Sequence, residues 1–165
     1  MNKTRGFEKI SFNQFKKDTQ DLIPEKYQQN AYEKIKLPGR ATLHSAGYDI
    51  FSPWNIGLKP GEKQAFPTGL KVYMKNDEWL SVRVRSGHGF KYNIRLKNQV
   101  GVIDADYYDN PDNEGHIFIA LQNEGDSIWE VQQGEAFAQT IFHKYLVVDN
   151  DQVEKNRQGG LGSTD

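Results

Sequence analysis

"LSVRVRSGHGFK", residues 80–91, reads as a strand that ends in anion chemistry. Leu80, Val82 and Val84 alternate with Ser81, Arg83 and Arg85, and a period of two marks a strand with one buried face. The run then breaks at Ser86-Gly87 and Gly89, where glycine turns the chain. Short apolar runs of this kind fill the chain from residue 36 onward. Turn residues separate them at Pro60-Gly61, 75–77, 110–115, 123–126, Gln133-Gly134 and 149–151. Many short strands with frequent turns imply an all-β sandwich or barrel. Residues 116–121, "HIFIAL", are apolar at nearly every position, which predicts a strand covered on both faces.

Composition narrows the classes. A chain of 165 residues with 36% hydrophobic, 12% aromatic and 26% charged residues suits one ordinary globular domain. A net charge of −1 argues against a broad nucleic-acid-binding face, which needs many phosphate-neutralising Lys and Arg; a local cluster for a small anion is still compatible. The absence of cysteine excludes a disulfide framework, a thiolate nucleophile and Cys-ligated metal sites. "MNKTRGFEKISF" has no apolar signal core and no long apolar run follows, so the expectation is a cytoplasmic protein without membrane insertion.

The clearest helix is "SFNQFKKDTQDL", residues 11–22. Ser11 and Gln14 have capping-box spacing, and Phe12, Phe15, Thr19 and Leu22 approximate one face. Pro24 is expected to stop it, and the polar stretch to residue 35 reads as a decoration outside the core. The division expected is an N-terminal helical extension, 1–35, a β core, 36–150, and a C-terminal arm, 151–165.

That arm ends in "RQGGLGSTD", residues 157–165. A frayed terminus is one reading. The other is a phosphate cradle, because glycines let successive backbone N–H groups converge on an anion while hydroxyls and a guanidinium add donors. It is not a Walker A loop, lacking Gly-Lys-Ser/Thr and a following helix. Residues 101–110, "GVIDADYYDN", pose the sharpest question, since ionised Asp104 and Asp106 gain nothing from burial in an apolar strand. Either the run ends at the surface or those groups work.

Five segments taken together resemble the trimeric dUTPase family: "SAGYDI" 45–50, "RSGHGFK" 85–91, "NQVGVIDADY" 98–107, "GEAFAQTIF" 134–142 and "RQGGLGST" 157–164. The resemblance covers residues 36–165. It implies a jelly-roll-like β-sandwich or barrel with a short N-terminal helix and a flexible C-terminal arm. It also implies a homotrimer whose active sites each draw the third motif from one chain, the first, second and fourth from a neighbour, and the arm from the third chain. The implied reaction is Mg²⁺-dependent hydrolysis of dUTP to dUMP and pyrophosphate.

In that reading Asp104 deprotonates and aims the water that attacks the α-phosphorus. Asp106, two strand positions away, accepts backbone or arginine hydrogen bonds, and Tyr107 packs under the deoxyribose, while Tyr108 reads as an edge residue. Uracil is read by a hairpin from Asn98 through Gly101, Val102 and Ile103. Arg85, Ser86, Gly87, Gln139, Arg157, Gly162, Ser163 and Thr164 face the triphosphate. Asp49 either helps hold Mg²⁺ through water or is an ordinary turn residue. Departures from the family pattern are Leu161 in place of a stacking phenylalanine, His88 at a usually aliphatic position, and Asp165 for a terminal glycine. The four histidines have no metal-site spacing and read as surface or turn residues. Competing readings are a dCTP deaminase relative, for which the 98–107 segment lacks a glutamate, and a nucleotide-sensing regulator with a protein partner.

Overall fold

The computed structural model describes residues 3–155, 157, 159 and 160. Its elements run β1 (Gly6–Lys9), α1 (Phe12–Thr19), α2 (Glu25–Glu33), β2 (Gly39–Arg40), β3 (Tyr48–Phe51), β4 (Ile56–Leu58), β5 (Lys63–Pro67), β6 (Leu70–Tyr73) and β7 (Glu78–Val84). Then follow α3 (Ser86–Tyr92), β8 (Ile94–Leu96), β9 (Gly101–Asp104), β10 (Phe118–Asn123), β11 (Trp129–Val131) and β12 (Ala136–Lys144). A five-stranded sheet has the order β2-β3-β12-β7-β9, and a second sheet has β5-β10-β8. Two-stranded ribbons, β1-β6 and β11-β4, flank them. This is an all-β, jelly-roll-like sandwich, as the many short strands and frequent turns predict.

Leu80 and Val82 of β7 point into the core, at 0% and 2% exposure, while Arg83 lies exposed on the opposite face. β10 differs from expectation. Ile119, Leu121 and Asn123 are buried but Phe118, Ala120 and Gln122 only half-buried, so its second face is not fully covered. No helix of the described residues is long and apolar enough to cross a membrane.

The first 35 residues are not a decoration. Ile10, Phe15, Ile23, Ala31 and Ile35 belong to the same buried cluster as Leu80, Ile119 and Trp129. β1 pairs antiparallel with β6 from Gly6↔Tyr73 to Lys9↔Leu70. The sequence reading failed here because two short helices scatter few apolar residues among many polar ones, and these are buried only when the helices pack against each other and the strands.

Ser11 caps α1 as expected, its Oγ accepting from the Gln14 N–H at 3.2 Å. The reciprocal half of the capping box is absent. The Ser11 N–H goes to Glu114 Oε2 at 2.8 Å and the Gln14 amide to Asp18 Oδ2 at 2.9 Å, since carboxylates out-compete an amide as acceptors. The helix ends at Thr19, short of Leu22, and Pro24 opens α2 rather than stopping α1.

Candidate active site

Two cavities divide the candidate residues. The first, about 400 Å³, lies where β3, β12 and α3 meet and includes Asp49, Arg85, Ser86, Gly87 and Gln139. The β12 register sets Gln139 opposite Asp49, putting both side chains on one face of the sheet. Arg85, at the end of β7, turns back over them. Its Nε lies 3.1 Å from Asp49 Oδ1, and its Nη1 donates to the Ala136 carbonyl at 3.3 Å. The guanidinium is thus aimed before any ligand arrives.

The glycine-broken turn expected after Arg85 is a helix, α3. Two glycines weaken a helix by roughly 1 kcal/mol each, so its anchors matter. Asn93 closes it in the left-handed conformation at φ 54°, with its N–H on the Gly89 carbonyl at 3.1 Å. His88 ties it to β11, accepting from Trp129 Nε1 at 2.7 Å on Nδ1. Indole N–H only donates, so neutral His88 carries its proton on Nε2. Burial first, and then the Arg85 charge, push the His88 imidazole below its ordinary value. Sequence reasoning passed over His88, Lys91 and Ser45 as site residues, although all three line this cavity and lie in or at the edge of quoted motifs.

The second cavity, about 260 Å³, holds Asn98, Gly101, Val102, Ile103, Asp104, Tyr107 and Arg157. The expected hairpin is not one. β8 pairs with β10 and β9 with β7, so residues 97–100 step from one sheet to the other. β9 is consequently an edge strand, paired with β7 alone, and an edge strand presents unpaired N–H and C=O groups. Gly101 is required by a close approach: a Cβ there would stand 2.8 Å from Val82 Cβ.

β9 ends at Asp104, and Ala105–Tyr107 form a single 3₁₀ turn. Asp104 and Asp106 are therefore not two positions along one strand, as the sequence spacing suggested. Arg157 gathers them, Nη2 donating to Asp104 Oδ2 at 2.8 Å and Nε to Asp106 Oδ1 at 2.9 Å. Both carboxylates are about half exposed while the Arg157 side chain is 11% exposed, its guanidinium carbon 5.7 Å from the Tyr107 ring centre. Arg157 thus rests on its own chain's third motif, where the resemblance implies an arm delivered to a neighbour. The Gly160 N–H continues the contact to Asp112 Oδ2 at 2.9 Å.

Tyr107 is 6% exposed. Its hydroxyl donates to the His116 carbonyl at 2.9 Å and accepts from Asn113 Nδ2 at 2.8 Å. Tyr108, expected as a simple edge residue, donates to Glu8 Oε2 of β1 at 2.6 Å, and that bond, ahead of burial, raises its phenol well above the ordinary value. Leu161, Gly162, Ser163, Thr164 and Asp165 lie outside the described residues.

No group of three or more acidic or histidine side chains able to hold a metal ion occurs among the described residues. The Asp49 carboxylate is engaged by Arg85. Among the described residues the side chains build no protein-held metal centre.

Cationic, hydroxyl and amide donors on one cavity, and a free strand edge beside an aromatic floor on the other, suit an anionic nucleotide. That places the chain among β-sandwich nucleotide-binding proteins. Similarity to known proteins narrows the class. A family model described as dUTPase matches residues 33–165. The deoxyuridine 5′-triphosphate nucleotidohydrolase of Lactococcus lactis subsp. lactis is 46% identical over 132 residues, covering 79% of this chain and 88% of that protein. The Tolumonas auensis protein of the same name is 35% identical over 140 residues, covering 79% and 88%. The dUTPase of Streptococcus mutans superposes with a TM-score of 0.69 at 36% identity, covering 88% of this chain and 99% of that one. The dUTPase of phage phi11 of S. aureus, described as coordinating a structural Mg(II) ion, shares the fold at a TM-score of 0.65 and 20% identity, covering 93% and 98%. The chain belongs to the dUTPase family.

Proposed function

We infer that the chain hydrolyses dUTP to dUMP and pyrophosphate, with Asp104 as the group that orients and deprotonates the attacking water. The observation that carries this reading is the placement of Asp104: a half-exposed carboxylate at the terminus of an edge strand, on the rim of the base-sized cavity. A carboxylate of ordinary basicity serves when the water is held in line, because positioning supplies much of the rate.

The free edge of β9 offers uracil alternating acceptors and donors, and Asn98 adds an amide. Cytosine would set an amino donor against a donor. Tyr107 forms the floor on which the deoxyribose rests. Arg85, Ser86, Gly87 and Gln139 receive the phosphates. Arg157 exchanges its carboxylate partners for the incoming triphosphate, which frees Asp104 for the water. The arm residues Leu161, Gly162, Ser163 and Thr164 complete the enclosure.

Mg²⁺ would be held chiefly by the substrate's phosphate oxygens and retained waters, offsetting their charge, and Asp49 would contribute through water. A homotrimer completes the site. The two cavities share no lining residue, and Val102 on the outer face of β9 is 59% exposed, so a neighbouring copy can set its phosphate cavity against this chain's base cavity. Among the described residues no glutamate lines the base cavity, which counts against a deaminase.

Offering the purified protein each deoxynucleoside triphosphate with Mg²⁺ and measuring pyrophosphate tests the reading. Release from dUTP alone is the expected outcome. Equal release from dCTP or dTTP would overturn the assignment of the β9 edge.

A further inference from the structure

The base cavity is held from behind by residues outside the five motifs, one of which, Asp18, also lies outside the family match. Asp18, on α1, places Oδ2 2.6 Å from Nδ1 of His116, whose side chain is 0% exposed. The other ring nitrogen, Nε2, accepts the Gly69 backbone N–H at 2.8 Å. A backbone N–H can only donate, so Nε2 carries no proton and Nδ1–H donates to Asp18. The ring has one tautomer and one orientation.

His116 in turn holds Tyr107. Its carbonyl accepts the Tyr107 hydroxyl at 2.9 Å, and its N–H bonds to the carbonyl of Asn113, whose amide also reaches that hydroxyl. Gly115 lets the loop press this close: at φ +80° its absent Cβ would stand 2.6 Å from the Tyr107 carbonyl oxygen. Both partners of the Tyr107 hydroxyl thus sit on one short loop, and the anchor of its His116 end is a carboxylate from outside the family-matched residues 33–165.

We propose that Asp18 and His116 are a positioning pair through which the N-terminal extension sets the pose of Tyr107, and hence the rejection of a ribose 2′-hydroxyl. The inference rests on the reading of Tyr107 as the sugar floor. Without Asp18 the buried Nδ1–H loses its acceptor, the ring turns, and the Tyr107 hydroxyl follows the loop. A ring displaced by about 1 Å no longer closes the space beside C2′.

The test is the ratio of the UTP inhibition constant to the dUTP KM, measured on the full-length chain. A merely structural role lowers the active fraction and leaves this ratio unchanged. Asp18→Ala should lower it about tenfold, and Asp18→Asn, whose side-chain oxygen still accepts the Nδ1–H, should restore it. Tyr107→Phe cuts the last link while leaving Asp18 and His116 paired, and should give the same drop, so the test stands even if Asp18→Ala fails to fold. An unchanged ratio in either folded variant overturns the proposal. Tyr107→Ala separates the two readings: if it leaves the ratio at the wild-type value, Tyr107 does not floor the sugar and the reading of the site fails. If it lowers the ratio while Asp18→Ala and Tyr107→Phe do not, only the positioning pair fails.

Discussion

Arg157 Nη2 donates to Asp104 Oδ2 at 2.8 Å, so the carboxylate assigned to the water is held, before substrate, by the arm that is assigned to the phosphates. The pair adds little to stability. Asp104 is half exposed, and exposed ion pairs contribute only about 0–1 kcal/mol. A triphosphate with several negative charges can take the guanidinium over.

Asp104→Asn keeps the shape and the Arg157 contact but removes the proposed base. Turnover should fall at least about a hundredfold with dUTP affinity nearly unchanged, as read by steady-state kinetics beside equilibrium binding. Near-normal turnover would refute the assignment.

Removal of residues 157–165 should abolish hydrolysis and leave the sandwich folded. Arg157 and Gly160 meet the rest of the chain at Asp104, Asp106 and Asp112, outside the core, and at the Tyr107 ring, whose own hydrogen bonds to His116 and Asn113 do not involve the arm. Circular dichroism and pyrophosphate release check the two halves of this expectation, and an active truncation would mean the arm is a spectator.

Phe15→Ala should destabilise the whole protein by about 3–5 kcal/mol, the range for an aromatic deleted from a packed core. The side chain is 0% exposed and its ring packs against Tyr32 and Trp54 at 5.5 and 6.2 Å. Denaturant unfolding followed by tryptophan fluorescence should show one cooperative transition moved to lower denaturant. A separate early transition would mean that α1 and α2 are a detachable layer.

Stability should fall on the acid side. Burial, ahead of the opposing Asp18 charge, holds His116 below its ordinary 6.5, so the unfolded chain binds this proton first. The contribution is complete above 6.5 and is lost as pH falls from there through the folded value. Burial alone would raise the Asp18 carboxyl, but hydrogen bonds from His116 and Gln14 hold it below 3.8, so its contribution is present above 3.8 and is lost at lower pH still. Unfolding midpoints measured from about pH 8 downward should decline in these two steps. His116→Gln should flatten the first.

The amino-acid order alone was enough for the strand character of 80–84 and for the Ser11 cap. Each of these rests on spacings of a few residues, where the geometry of strand or helix relates neighbours directly. Packing decided what the spacing left open. Residues 98–103 read as a hairpin, yet the strands before and after 97–100 join different sheets, since strand pairing depends on distant partners. Asp18 and His116 meet across 98 positions, and Arg157 reaches Asp104 across 53. Such contacts form only when the whole core closes, because the burial that orients each side chain comes from elements remote in the chain, and no local period records it.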